Sequence, residues 1–200
     1  MKTTLSIICS AAVLVLAAAP AQSQNLLNNG NFNSGDTTGW WTYVPDPANS
    51  SISVANNAGI SYDGSSYLHI YARSPSGTPI IGQDPTVAAG SQYQVSLMYR
   101  GGNWGGAGVE IQYKDSGWTT IGWEWATLYQ DPGYDTGWQS FASPTWTAPA
   151  STAYVEIRPQ GWGWSDTYID NVSLSVIPEP GSAVLLALGA LGLIVRRRLG

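Results

Sequence analysis

The chain has 200 residues, 8 basic against 13 acidic, and an aromatic content dominated by 10 Trp and 11 Tyr. Its single cysteine cannot close an internal disulfide, which excludes a disulfide framework and a cysteine metal cluster. The acidic balance repels phosphate backbones and anionic lipid, which argues against nucleic acid and against a peripheral membrane role.

Residues 1–23 have the three parts of a secretory signal: Lys2, an apolar run over residues 5–19, and small residues at Ala19, Ala21 and Ser23 suited to cleavage. Export is expected. Cys9 lies inside the apolar run, and Ile7-Ile8 before it does not form a lipoprotein box, so the mature chain is expected to hold no cysteine. Residues 24–176 are enough for one domain with one core. Over residues 25–177 there are 12 acidic residues, the 13 minus Glu179, and 4 basic ones, Arg73, Arg100, Lys114 and Arg158, a difference of 4 − 12 = −8. All the Trp and Tyr residues fall in this stretch, more than a core of this size needs.

No segment of the domain repeats apolar residues at helical spacing, whereas short alternating runs bounded by Gly, Pro, Asn and Asp recur. Leu68, Ile70 and Ala72 alternate with Tyr67, His69 and Tyr71. The same period of two runs through Tyr93, Val95, Leu97 and Tyr99, through Val109, Ile111 and Tyr113, and through Val155 and Ile157. Each predicted strand has one core face and one polar or aromatic face. Many short antiparallel strands at this spacing predict an all-β sandwich, a single jelly roll.

Four stretches taken in order resemble the galactose-binding-like jelly rolls, a group that includes xylan- and glucan-binding carbohydrate modules. They are Asn25-Leu26-Leu27-Asn28-Asn29-Gly30-Asn31-Phe32 with Gly39-Trp40, residues 90–100, residues 138–149, and Tyr168-Ile169-Asp170-Asn171-Val172-Ser173-Leu174. The resemblance implies a jelly-roll domain with a polysaccharide ligand. It also implies a structural Ca²⁺ held by the aspartate of the terminal motif, here Asp170, with oxygens from the N-terminal segment and carbonyls near Gly64 and Ser65. Asn33, which stands where many relatives have a glutamate, is the candidate metal ligand from the N-terminal segment. Parity alone also singles out Asp170: in an unbroken strand it shares the face of Val172, Leu174 and Val176, where a carboxylate must be paired, coordinated or bonded to turn amides.

Aromatic rings stack on the apolar faces of sugars while amides and carboxylates bond the hydroxyls, so the tryptophans are the main functional signal. Trp104 sits between glycine pairs, and Trp162 and Trp164 sit in a predicted loop over residues 161–166; all three are expected to be exposed ligand contacts. Trp123 and Trp125 are two apart and share one strand face, which makes them candidate ligand contacts as well, though a sandwich core could equally take them. Trp40, Trp138 and Trp146 match core positions of the resembled fold. No catalytic residue is expected. The only histidine, His69, has no nucleophile elbow or metalloprotease helix to join, and Glu110, Glu124 and Glu156, the possible carboxyls of a glycan hydrolase, stand in no catalytic motif.

The chain ends on Pro178-Glu179-Pro180, an uncharged apolar run to Val195, and Arg196-Arg197-Arg198. The prolines stop any upstream strand, and the arginines hold the chain end on the cytoplasmic side of a membrane. At about 1.5 Å per residue such a helix is short for a roughly 30 Å hydrocarbon core. This order of parts resembles the PEP-CTERM sorting signal of Gram-negative bacteria. The resemblance implies transient residence in the inner membrane, cleavage near the triplet by an exosortase, and delivery to the cell surface or extracellular matrix. Residues 177–200 are therefore assigned to sorting. The expected function is a non-catalytic, exported polysaccharide-binding protein, with a ligand-free structural role in a matrix or biofilm, or a glycan hydrolase, as the alternatives.

Overall fold

The computed structural model describes residues 24–177, except 64, 74–76 and the side chain of Asn103. The expected signal peptide and the sorting segment from Pro178 onward lie outside the described residues. Among the described residues no helix is long and apolar enough to cross a membrane.

Among the described residues eleven strands follow one another: β1 (Trp41–Tyr43), β2 (Ser50–Asn56), β3 (Ser66–Ala72), β4 (Ile80–Gly82), β5 (Gln92–Asn103), β6 (Gly106–Lys114), β7 (Thr120–Gln130), β8 (Gln139–Ala142), β9 (Trp146–Thr147), β10 (Tyr154–Trp162) and β11 (Ser165–Ile177). They form two antiparallel sheets, a five-stranded one in the order β1-β4-β10-β6-β7 and a six-stranded one in the order β2-β3-β11-β5-β8 with β9 beside β5. The all-β sandwich expected from the alternation is the observed fold.

The core lies between the sheets, where the predicted apolar faces meet. Leu68, Ile70 and Ala72 of β3, Val95 of β5 and Ile169 and Leu174 of β11 are fully buried from one side. Ala107, Val109 and Ile111 of β6 and Val155 and Ile157 of β10 are buried from the other. Burial of such branched side chains is worth roughly 1.5 to 3 kcal/mol each and is the main force holding the sheets together. The N-terminal segment is stitched to β11, with Asn25 accepting from the Leu174 N–H at 3.0 Å and Val172 donating to the Gly30 carbonyl at 2.8 Å. Phe32 is then fully buried against Trp40, with ring centroids 5.6 Å apart.

The polar faces point outward, one from each sheet. Because β5 and β6, and β10 and β11, pass from one sheet to the other, their connections lie together at one end of the sandwich. The connection after β7 closes onto the same end, where Asp131 N–H donates to the Gly105 carbonyl.

Candidate functional site

The outward face of the five-stranded sheet gathers side chains from strands far apart in sequence. Register sets Trp41 of β1 beside Gly82 of β4, Gln160 of β10 beside Gly108 of β6, and Arg158 beside Glu110, with Trp125 of β7 completing that last row. The tryptophans lie across the sheet because glycines stand beneath them. A Cβ at Gly82 would fall 2.2 Å from the Trp41 ring, one at Gly108 2.3 Å from Trp125, and one at Gly106 2.4 Å from Trp162. Trp125 and Trp162 are neighbours, 5.5 Å between centroids. Indoles thus stand at both edges of the sheet, Trp41 on one and Trp123 with Trp125 on the other. Trp123 is 64% exposed and Trp125 41%.

Between the edges the floor is polar. Glu110 accepts from Gln112 at 2.8 Å and from Gln160 at 3.3 Å, and lies 3.5 Å from the Arg158 guanidinium. Lys114 pairs with the buried Glu156 at 2.6 Å. Asp84 accepts from Trp41 Nε1 at 3.0 Å, which fixes that indole. Burial, with the charge of Glu156 behind it, pushes the Asp84 carboxyl above the usual carboxylate range. Arg158 Nε and Asp84 Oδ1 are buried and have no hydrogen-bond partner among the described residues. Such atoms are costly unless something bonds them. At the far end Trp118 stacks on Tyr154 at 4.5 Å with Lys114 above it.

The structure brings three of the predicted contacts together: Trp123, Trp125 and Trp162. Trp162 is not a loop residue as the glycines around it suggested; β10 runs through it, and its indole lies on Gly106. Trp104 and Trp164 are exposed as expected, 74% and 53%, but they sit on the connections at the end of the sandwich rather than on this face. Trp40 is buried, and Trp138 and Trp146 are half-buried, the former donating to the Ile60 carbonyl at 2.6 Å. Sequence reasoning missed Trp41, Asp84, Arg158 and Gln160; the one signal for them was a tryptophan register-matched to a glycine, which needs the strand pairing. Glu110 and Glu156 share the face and are both paired with cations, whereas Glu124 has the opposite parity.

Asp170 is fully buried, but not for the reason parity gave. The register of β11 against β5 shifts between Asp170 and Ser173, with Asn171 at φ 51°, so parity reverses there: Thr167 and Ile169 alternate as buried residues before the shift, and Val172 and Leu174 after it. Asp170 Oδ1 accepts the Asn171 N–H at 2.7 Å, while Oδ2 is buried without a partner among the described residues. Burial pushes this carboxyl up to about 6, and the charge of Asp63 adds to the effect. Asn33 lies exposed on the N-terminal loop. Among the described residues no three His, Cys, Asp or Glu side chains cluster as a ready metal cage.

A jelly roll with indoles at both edges of one sheet and a hydrogen-bonding floor between them has the architecture of a sugar-binding module. The family comparison agrees. Residues 24–162 match the carbohydrate-binding domain family CBM_4_9, and the chain belongs to it. Residues 176–198 match the PEP-CTERM protein-sorting motif. No curated protein sequence matches the chain.

Solved structures share the fold. The enzymatically active domain of a tailspike protein from bacteriophage CBA120 superposes with a TM-score of 0.64 at 13% identity over 76% of this chain, which spans 21% of that one. TmCBM61, solved with β-1,4-galactotriose, gives 0.55 at 17% identity over 78% of this chain and 100% of its own. A family 16 carbohydrate-binding module gives 0.56 at 20% over 75% and 99%. At these identities the likeness shows the fold alone.

Proposed function

We propose that this chain is an exported, non-catalytic protein that binds polysaccharide on the outward face of the five-stranded sheet. Sugar rings stack on Trp41, Trp125 and Trp162, and the floor of Glu110, Arg158, Gln112, Gln160 and Asp84 reads their hydroxyls. Support comes from one observation above all: indoles laid over glycines at both edges of one sheet frame a polar floor of Glu110, Gln112, Arg158 and Gln160, and sugar hydroxyls can both donate to and accept from such groups. Glu110 and Glu156 are committed to ion pairs, which suits a binding floor better than an acid and base pair.

In this reading the N-terminal segment exports the chain, and the C-terminal segment holds it in the inner membrane until an exosortase cuts near Pro178-Glu179-Pro180. The product is released to the cell surface or matrix. A structural Ca²⁺ belongs to the same proposal. Asp170 fits it, being a buried carboxylate with an orphaned oxygen beside a second acid, Asp63. A hard cation held by Asp170 would supply the positive partner that this buried oxygen otherwise does without.

The test is depletion of the purified full chain from solution by insoluble xylan, β-glucan and galactan. Retention on at least one, with no reducing sugar released, supports the reading. No retention on any polysaccharide favours the ligand-free matrix role, and released sugar makes the protein a hydrolase.

A further inference from the structure

The outward face of the six-stranded sheet carries a second built cluster that the tryptophan platform does not use. Register sets His69 of β3, Tyr168 of β11 and Arg100 of β5 in one row, and Tyr71, Asp166 and Gly102 in the next. The rings of His69 and Tyr168 are stacked 4.8 Å apart. Asp166 accepts from Arg73 at 2.7 Å and lies 3.1 Å from His69 Nε2, while Arg100 Nε donates to Asp135 at 2.9 Å. Beside these pairs, the side-chain-free Gly101 and Gly102 floor a depression of about 170 Å³ walled by Tyr134, Asp135, Asp166 and Tyr168. The space over the strand is open, since a Cβ at Gly102 would meet nothing nearer than the Asp135 Cα at 4.0 Å. Tyr134 at 69% and Trp104 at 74% are the two most exposed large apolar side chains described. Their loops touch, because a Cβ at Gly133 would lie 3.8 Å from the Trp104 ring.

We propose that this depression is a second glycan subsite, sized for one sugar ring, on the sheet opposite the tryptophan platform. Its volume is well below the roughly 300 to 1,000 Å³ of pockets for larger ligands, which suits a single ring. Each wall carboxylate already has an arginine, so neither demands a cation. Arg100 holds Asp135, and His69 followed by Arg73 holds Asp166, below the usual carboxylate range, so both are ionised acceptors at neutral pH. Tyr134 stands in the wall, and the exposed Trp104 lies against the neighbouring Gly133. Two sites on opposite sheets cannot grip neighbouring rings of one strand of glycan. The protein therefore bridges separate chains, and its retention in a matrix exceeds what either site gives alone.

The experiment labels the full chain with ¹⁵N-glycine and titrates it with millimolar methyl xyloside, methyl galactoside and methyl glucoside. Gly101 and Gly102 amides report this depression, and Gly82, Gly106 and Gly108 report the platform, so the two sites stand or fall separately. The expected result is a saturable shift of Gly101 and Gly102 with at least one glycoside. In Gly102→Val, whose side chain fills the space, the Gly101 shift disappears while the platform amides respond as before. Tyr134→Ala, a change in an exposed loop, weakens the Gly101 titration at least fivefold. Gly101 and Gly102 amides that stay still with all three probes, or a Gly101 shift that survives in Gly102→Val, overturn the proposal whatever the platform does.

Discussion

At the scale of single residues, two tryptophans adjacent in sequence have opposite work. Trp40 is buried, donates to the Asn28 carbonyl at 3.1 Å and packs on Phe32. Trp40→Ala is expected to cost about 3 to 5 kcal/mol of stability, read from unfolding curves. Trp41 lies across Gly82 with its N–H on Asp84. Gly82→Ala must displace that indole, since the nearest atoms to the new methyl all belong to the Trp41 ring. It should weaken polysaccharide binding severalfold; binding equal to wild type would show that the placement of Trp41 does not matter. Asp170 gives a pH signature. Its folded carboxyl titrates near 6 and an unfolded aspartate near 3.9, so the folded chain holds a proton that the unfolded chain releases. With calcium chelated, the stability contributed by the neutral acid is fully present below about pH 4. It is lost as pH rises to about 6, by an amount on the order of 2 to 3 kcal/mol. Wild type compared with Asp170→Asn, which cannot titrate, isolates that difference. Added calcium should reverse the trend above pH 6 by binding the carboxylate; a wild-type stability indifferent to calcium removes the ion from the account.

At the scale of elements, the alternation of β3, β5, β6 and β10 was legible in the sequence because strand parity needs only neighbouring residues. Leu68, Ile70, Val95, Val109, Ile111, Val155 and Ile157 all face the core as that pattern demands. What was not legible is whatever depends on register. Nothing local shows that Trp125 lies over Gly108, or that Trp41 of the first strand shares a face with Trp123 of the seventh. The glycines around Trp162 read as a loop because a glycine beneath a flat indole and a glycine in a turn look the same in one dimension. In β11 the parity argument failed at Asn171, whose positive φ marks the register shift. Asn tolerates this conformation and β-branched residues do not. Asn171→Gly should therefore leave stability nearly unchanged, whereas Asn171→Ile should cost roughly 1 to 3 kcal/mol in chemical denaturation. Equal stability of the two variants would mean that the left-handed residue is not what holds the bulge.

At the scale of the whole molecule, a carbohydrate-binding sandwich is coupled to a terminal sorting motif, so binding and delivery are separable. Protein recovered from outside the cell is expected to end near Pro180 and to lack Arg196 to Arg198, a difference that intact-mass measurement reads directly. Replacing Pro178-Glu179-Pro180 with alanines should leave the chain in the inner membrane without altering its affinity for glycan. Surface protein that keeps all three arginines would contradict cleavage. The central claim, that the indole-framed face of the five-stranded sheet is the polysaccharide site, is tested most directly by paired unfolding curves and binding isotherms on Trp125→Ala. Its ring is 41% exposed and rests on a glycine rather than in the core, so truncation should cost much less stability than the buried Trp40 does. Loss of one stacking ring should weaken binding by about 1 to 2 kcal/mol, roughly five- to thirtyfold. Binding to the polysaccharide retained by wild type that is unchanged in a stably folded Trp125→Ala variant would contradict the account.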